Sequence, residues 1–348
     1  MAAVTGPLSV AEMATFKRDG YLLRRGVLDP ELCRRCQDRL WDLNGSSVVR
    51  RNEPSTWVGP LPERDFCEEP ATARSAFRLN CRAPGHEELF KGLLPQNPTV
   101  LAIAEQLLGA GETSAAPRTT SAATTSGVGT RGVYCTLPMG GKPKARNQCH
   151  IDDNLDSRGR LGVVAYIDDV GPGGGSFMVW PRSHHRFHRL LAVKADTTSN
   201  GYGKGAAEQK NRCGGPDHRP NWAAGMQEAW EEVERTTAPV DCYGALGTVV
   251  FYHARLGHMA GSNYSSQIRQ AVISGFAKTP ESLPDGDELL AHALEDDIWR
   301  DWSGELRAAG VDFGRLGGSN ATGTGANRRK HVTPIWYSSS DSASSARL

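Results

Sequence analysis

The sequence predicts a mainly β (α+β) fold with helices at both ends, on three observations. Glycine is abundant, 39 of 348 residues, which favours a loop-rich β chain over a helical bundle. After Gly132, short apolar runs sit between turn residues. Before Gly109, and again near the C-terminus, apolar residues recur at helical spacing.

Taken in order, Ser9 and Glu12 form a capping-box pattern ahead of Met13 and Phe16, and Gly20 stops that helix. Residues 21–23 form a short apolar strand. Asp29 and Pro30 open a second helix that runs to about Leu43. Its Leu32, Cys33, Cys36, Leu40 and Leu43 share one face. Residues 44–90 are rich in Arg and Pro without a clear period. Asn97 and Pro98 start a third helix, which Gly109 ends. Residues 109–129 are low-complexity Gly, Ala, Ser and Thr, a flexible loop. Strands are expected at 133–137, 161–167, 176–180, 248–253 and 271–276. Between them, 193–241 reads as a polar insertion with a helical stretch at 222–234. Residues 289–302 read as a last helix, and 317–348 as a disordered Gly/Ser/Thr-rich tail. The expected organisation is one domain over residues 1–316. It has an N-terminal helical part (8–110), a β core (about 131–278) and a C-terminal helical part (284–316).

Charge and composition exclude several classes. Lys plus Arg is 40 and Asp plus Glu is 39, a net charge of +1. That balance gives no reason to expect nucleic acid or an anionic membrane as partner. No run approaches the ~20 apolar residues of a membrane span, and the first twenty residues lack a secretory pattern, so a cytoplasmic protein is expected. The eight cysteines then read as free thiols. Cys33 and Cys36 make a CxxC without a second pair to complete a zinc site, and their helix face makes them core residues.

Other candidate motifs fall away on their chemistry. The glycine run 171–175 follows Asp168 and Asp169, which would repel phosphate. The run 201–205 lacks the Ser or Thr of a phosphate-binding loop. His184, His185 and His188 would suit a metal on a helix, but read as a surface loop. Arg50, Arg51, Arg78 and Arg82 are candidates for an acidic substrate and read as surface or structural residues.

His150-Ile151-Asp152 stands apart. Alternate residues of an extended segment share a face, so the imidazole and the carboxylate can bind one ion. A third ligand, His258 or its rival His253, completes the two-His, one-carboxylate facial triad suited to non-haem Fe(II), with positions open for a 2-oxo acid and then O₂. Arg269, entering the last strand, selects His258, since a guanidinium there would hold a distal carboxylate. Spacing alone leaves a second reading open, with His150 and Asp152 as a local polar pair and His258 packing a loop.

Several runs together resemble the phytanoyl-CoA dioxygenase family. They are FKRDGYLL at 16–23, His150-Ile151-Asp152, LGVVAYIDDV at 161–170, GGGSFMVWPRSH at 173–184, and GHMAGSN at 257–263 followed by Arg269. The resemblance implies a double-stranded β-helix, or jelly roll. It implies Fe(II) on His150, Asp152 and His258, with 2-oxoglutarate on the metal and its distal carboxylate on Arg269. It places Tyr166 near the cosubstrate, and implies oxidation of a small-molecule substrate with release of succinate and CO₂. Related iron halogenases carry a small residue at the carboxylate position, so Asp152 favours hydroxylation. Asp153 would point the other way.

Three departures accompany the resemblance. Arg182 stands where the family has Gly in its Pro-Gly-Ser-His corner. Ala260 and Ala271 lack the hydroxyl that assists the cosubstrate carboxylate, and Thr136 and Ser274 are the candidate substitutes. No acyl-CoA signature is present. The loop before Gly132 and the 193–241 insertion are lid candidates. Ala346-Arg347-Leu348 resembles a relaxed peroxisomal signal, which gives that compartment if the host is eukaryotic. The alternatives are a protein side-chain hydroxylase and a non-catalytic jelly-roll scaffold with a vestigial site.

Overall fold

Helix α1 (Val10–Asp19) forms where its local signals place it. The capping box is complete: Ser9 and Glu12 cap each other's backbone, and Gly20 closes the helix at φ 82°. Gly20 has a second reason to lack a side chain, since a Cβ there would lie 2.5 Å from Nδ1 of His184. Strand β1 (Tyr21–Arg24) follows. Helix α2 (Pro30–Asp42) is capped by Asp29 and buries Cys33, Cys36 and Leu40. Both cysteines are free, and burial pushes each thiol up to about 12, as core thiols and not redox groups. A computed structural model describes residues 8–69, 71–115, 130–141, 149–152, 159–188, 226–279 and 297–310.

The stretch without apparent period, 44–90, contains three strands: β2 (Cys67–Glu68), β3 (Thr72–Ser75) and β4 (Arg78–Cys81). Each is two to four residues long, too short to show alternation. They are held by pairing, β2 to β3 to β4 to the core. Helices α3 (Glu88–Leu93) and α4 (Pro98–Leu108) come next, α4 with the expected Asn97 cap.

The remaining strands are β5 (Thr113–Ser114), β6 (Gly132–Thr136), β7 (Arg160–Tyr166) and β8 (Phe177–Val179). Helix α5 (Met226–Thr236) then precedes β9 (Val240–Cys242), β10 (Val249–His253), β11 (His258–Ala260) and β12 (Arg269–Lys278). Among the described residues nine strands form one antiparallel sheet, ordered β1-β10-β7-β12-β6-β4-β3-β2 with β5 on β12. Three form another, β11-β8-β9. β5, β9 and β11 are additions to the expected set; β5 lies within 109–129, expected as a loop, and is held by its pairing with β12.

The large sheet is apolar on both faces because each has its own cover. Val163, Ala165, Phe251, Val272 and Phe276 face the helices, joining Phe16, Cys33, Ile103 and Leu107 in the main core. Val164, Tyr166, Val250, Tyr252 and Ala271 face the small sheet, against Phe177, Val179 and Cys242. Two antiparallel sheets packed face to face in this way are the expected jelly roll. A third cluster covers the outside of the small sheet, where Trp230 and Val233 of α5 meet Ile151, Trp180, Phe187 and Met259.

Two expectations are corrected. No helix runs through the described part of 289–302: residues 297–302 form turns, and only α6 (Gly304–Ala308) is helical, capped by Ser303. Asp297 Oδ1 accepts the Trp299 N–H, a local bond that competes with helix. Trp299 instead packs edge-on against Phe16 and Trp302, and Trp302 lies tilted against Phe16. The His184 group is not a surface loop: 183–188 is helical, with His184 and His188 buried.

The described residues lie within one compact unit, Met1–Val311. Residues 116–129, most of the 193–241 insertion, Asp153, Cys213, and the tail with its C-terminal tripeptide lie outside the described residues. No described helix is long and apolar enough to cross a membrane.

Candidate active site

Backbone pairing brings the ligand set together. His150 and His258 sit opposite each other as an antiparallel bridge, each N–H donating to the other's carbonyl at 2.9 Å. Their ring centroids are 4.4 Å apart. The Asp152 N–H donates to the Ala254 carbonyl at 2.9 Å. Ile151 turns the other way, into the apolar cluster under α5, so the predicted alternation holds. His150 Nε2 lies 4.0 Å from Asp152 Oδ1, and His258 Nε2 lies 3.5 Å from Oδ2. One donor atom from each residue falls within 4.8 Å of the others, the one such group among the described residues.

The donor set fits a divalent metal by its tautomer as well as its spacing. His258 Nδ1 is 2.8 Å from the Leu256 carbonyl. That bond needs the proton on Nδ1 and leaves the Nε2 lone pair facing Asp152. The corner at 180–183 holds His258 in place: the Trp180 N–H donates to Gly257 O, and the Gly257 N–H donates to Ser183 Oγ at 2.8 Å. Arg182, where the family has Gly, adopts the glycine conformation, φ 70°. Its N–H donates to the Asp19 carbonyl and its Nε approaches the Asp19 carboxylate, contacts that offset the ~1 kcal/mol cost of a left-handed non-glycine residue.

His253, the rival ligand, is elsewhere. Its Nδ1 accepts the Arg255 N–H at 2.9 Å, and its ring stacks on Trp302 5.0 Å away. His184 packs 5.4 Å from it. Burial pulls both imidazoles well below their ordinary pKa, helped by the neighbouring histidines.

Tyr252 was not evident from the sequence. Its hydroxyl donates to Asp152 Oδ2 at 2.7 Å, and its ring lies beside Phe177 and His258. The cause is its register partner Gly162, where a Cβ would fall 2.1 Å from the Tyr252 ring. A glycine inside an otherwise Val-rich strand is the signal that could have found it. Tyr252→Phe is expected to keep the fold and weaken Fe(II) binding about 10–100-fold, as removal of an outer-sphere partner does. Metal titration of the variant against an unchanged melting temperature checks this.

Arg269 enters β12 opposite Thr136. Its Nε donates to Gly175 O, Nη1 to Tyr134 O and Nη2 to Thr136 Oγ1, each at 2.8 Å. A guanidinium has five N–H groups, so one remains on each terminal nitrogen. Burial lowers its pKa from the ordinary value, and an incoming carboxylate would relieve that cost. Of the two candidate hydroxyls, Thr136 is the one bonded to Arg269. Tyr166 is fully buried, its hydroxyl donating to Cys242 O at 2.7 Å and accepting the Phe177 N–H at 2.8 Å. It ties the large sheet to both β8 and β9.

The arginines weighed for an acidic substrate divide. Arg50, Arg51 and Arg82 pair with Glu53, Asp38 and Glu68. Arg78 is exposed on β4.

No curated protein matches the sequence at a significant level. Among solved structures, the chain is similar to the non-haem α-ketoglutarate-dependent carbocyclase SnoK from nogalamycin biosynthesis, at 17% identity and TM-score 0.48, covering 79% of this chain and 87% of that one. It is similar to AviO1 from Streptomyces viridochromogenes Tue57, at 17% identity and TM-score 0.46, covering 79% and 97%. It is also similar to EctD from S. alaskensis with 2-oxoglutarate and 5-hydroxyectoine, at 17% identity and TM-score 0.45, covering 78% and 76%. The sequence itself matches the phytanoyl-CoA dioxygenase (PhyH) family over residues 16–271. That span runs from the end of α1 through both halves of the His150, Asp152 and His258 cluster to Arg269, and the chain belongs to the phytanoyl-CoA dioxygenase family.

Proposed function

We propose that the protein is a non-haem Fe(II)- and 2-oxoglutarate-dependent dioxygenase that hydroxylates a C–H bond of a small-molecule substrate, with release of succinate and CO₂. The observation that carries this is the convergence of His150, Asp152 and His258 within 4.8 Å, three donors from one side with the other coordination positions left open. These residues would hold Fe(II). Arg269, steadied by Thr136, would hold the distal carboxylate of 2-oxoglutarate. Iron and 2-oxoglutarate, when bound, supply O₂ activation and the oxidising power.

The chain's own residues supply order and dryness. Tyr252 keeps the Asp152 carboxylate oriented. Leu256 O keeps His258 in the ligating tautomer. Phe177, 5.0 Å from the His258 ring, keeps water from that side. Asp152 itself occupies the position that a halogenase leaves to halide, so oxygen insertion is the proposed outcome.

Anaerobic Fe(II) titration in the presence of 2-oxoglutarate tests the reading. Wild type is expected to develop a weak visible metal-to-ligand charge-transfer band, and His258→Ala to lose it. No band in folded, iron-loaded wild type would overturn the proposal in favour of a non-catalytic binding protein.

A further inference from the structure

Arg131 is a cation on the face of the large sheet that carries the candidate site, and the one acid acting on it among the described residues is Asp152, itself a proposed metal ligand. It precedes β6, whose Tyr134 and Thr136 face the site: Tyr134 lies opposite Ala271, and Ala271 opposite Tyr166. Simple alternation would turn Arg131 the other way, toward the helices. Gly132 interrupts the alternation at φ 107°, a conformation closed to other residues here because a Cβ would lie 2.3 Å from the Cys81 carbonyl. The Arg131 guanidinium therefore stands over the Tyr134 ring, its Cζ 5.9 Å from the centroid. Burial works against its charge, but the Asp152 carboxylate, Tyr134 and Tyr252 outweigh it, and the pKa lies above the ordinary value.

Charge balance shows why this matters. In the proposed complex the metal dication, the Asp152 carboxylate, the cosubstrate dianion and the Arg269 guanidinium cancel. Among the described residues of the site Arg131 is then left over, partly buried and unneutralised, which is costly unless a ligand brings the missing charge. Asn80, cross-strand from Tyr134 and on the same face, is 2% exposed and its Oδ1 makes no hydrogen bond; this acceptor calls for a donor elsewhere on the ligand and does not itself hold the anion.

We propose that the substrate carries an anionic oxyacid group, a carboxylate or a phosphate, which Arg131 holds over Tyr134 so that a neighbouring carbon faces the metal. This rests on the proposed dioxygenase function and narrows its substrate class. Arg131 is a specificity residue on this reading, and its fork suits either oxyanion.

The test uses the full chain loaded with Mn(II) and 2-oxoglutarate, which does not turn over. The probes are hexanoate, hexyl phosphate and uncharged hexanamide, read by paramagnetic relaxation of their protons. Hexanoate, hexyl phosphate or both are expected to relax with ~10–100-fold higher apparent affinity than hexanamide, the range for a charge-assisted pair. Which anion is preferred separates carboxylate from phosphate substrates. Arg131→Gln is expected to abolish the preference and Arg131→Lys to restore part of it, both with unchanged Mn(II) affinity. Equal relaxation by all three probes, or a preference that survives Arg131→Gln, would overturn the inference. So would loss of 2-oxoglutarate binding in Arg131→Gln, since Arg131 would then serve the cosubstrate. Wild type that binds neither Mn(II) nor 2-oxoglutarate would instead overturn the dioxygenase proposal, and this inference with it.

Discussion

Arg269→Gln is expected to raise the 2-oxoglutarate concentration needed for half-saturation by about 10²–10⁴-fold while leaving Fe(II) affinity nearly unchanged. The variant loses two charged hydrogen bonds to the distal carboxylate, each worth roughly 1.5–3 kcal/mol. The proposed metal ligands sit on other segments, His150 and Asp152 on 149–152 and His258 on β11, so iron binding is expected to be spared. Arg269 also satisfies Gly175 O, Tyr134 O and Thr136 Oγ1, and losing it leaves buried acceptors without a donor. Thr136→Val is therefore the milder companion. It removes one acceptor from the guanidinium and is expected to raise the same half-saturation value about tenfold, the worth of one lost bond. The measurement is the charge-transfer band against 2-oxoglutarate at fixed Fe(II). An unchanged half-saturation value in both variants would remove Arg269 from the cosubstrate site.

Acidification is expected to destabilise the fold below about pH 6.5, through His184 and His253. Both are buried and held well below the ordinary histidine pKa, first by burial and then by neighbours: His185 and His188 act on both, and Arg255 on His253. The unfolded chain takes up protons near pH 6.5, while the folded chain resists until a lower pH. Between those values the unfolded state binds more protons, so stability falls with pH by about 1.4 kcal/mol per unit for each histidine. Above neutrality their contribution is flat. The melting temperature followed from pH 7.5 to 5.5 reads this directly. The double variant His184→Gln, His253→Asn isolates the effect. Asn offers an oxygen to the Arg255 N–H that His253 Nδ1 now accepts. A slope unchanged in that variant would sink the assignment.

Elements with local signals were legible in the sequence. The caps Ser9, Asp29 and Asn97 announce α1, α2 and α4 because an N-cap satisfies its own helix's orphan N–H groups. The longer strands, β7 and β10 among them, announce themselves by apolar runs covered on both faces. His150 and Asp152 were readable as a pair because alternation puts them on one side, and Arg269 pointed to His258 over His253. Elements that exist only by pairing were not legible. β2, β3, β9 and β11 have two to four residues each and hold their shape through partners elsewhere in the chain.

The roles of individual polar residues follow the same division. The sequence by itself determined the fold class, and it nominated His150, Asp152, His258 and Arg269 by residue type, spacing and family resemblance. Only the tertiary structure decided that Thr136 is the hydroxyl on Arg269, that Tyr166 ties the two sheets together, and that Tyr252 holds Asp152. It also turned the His184 group from surface to core and brought Arg131 over the Tyr134 ring. Each of these depends on which distant segments pair or pack together, and such register and packing leave no trace in the local sequence of either segment.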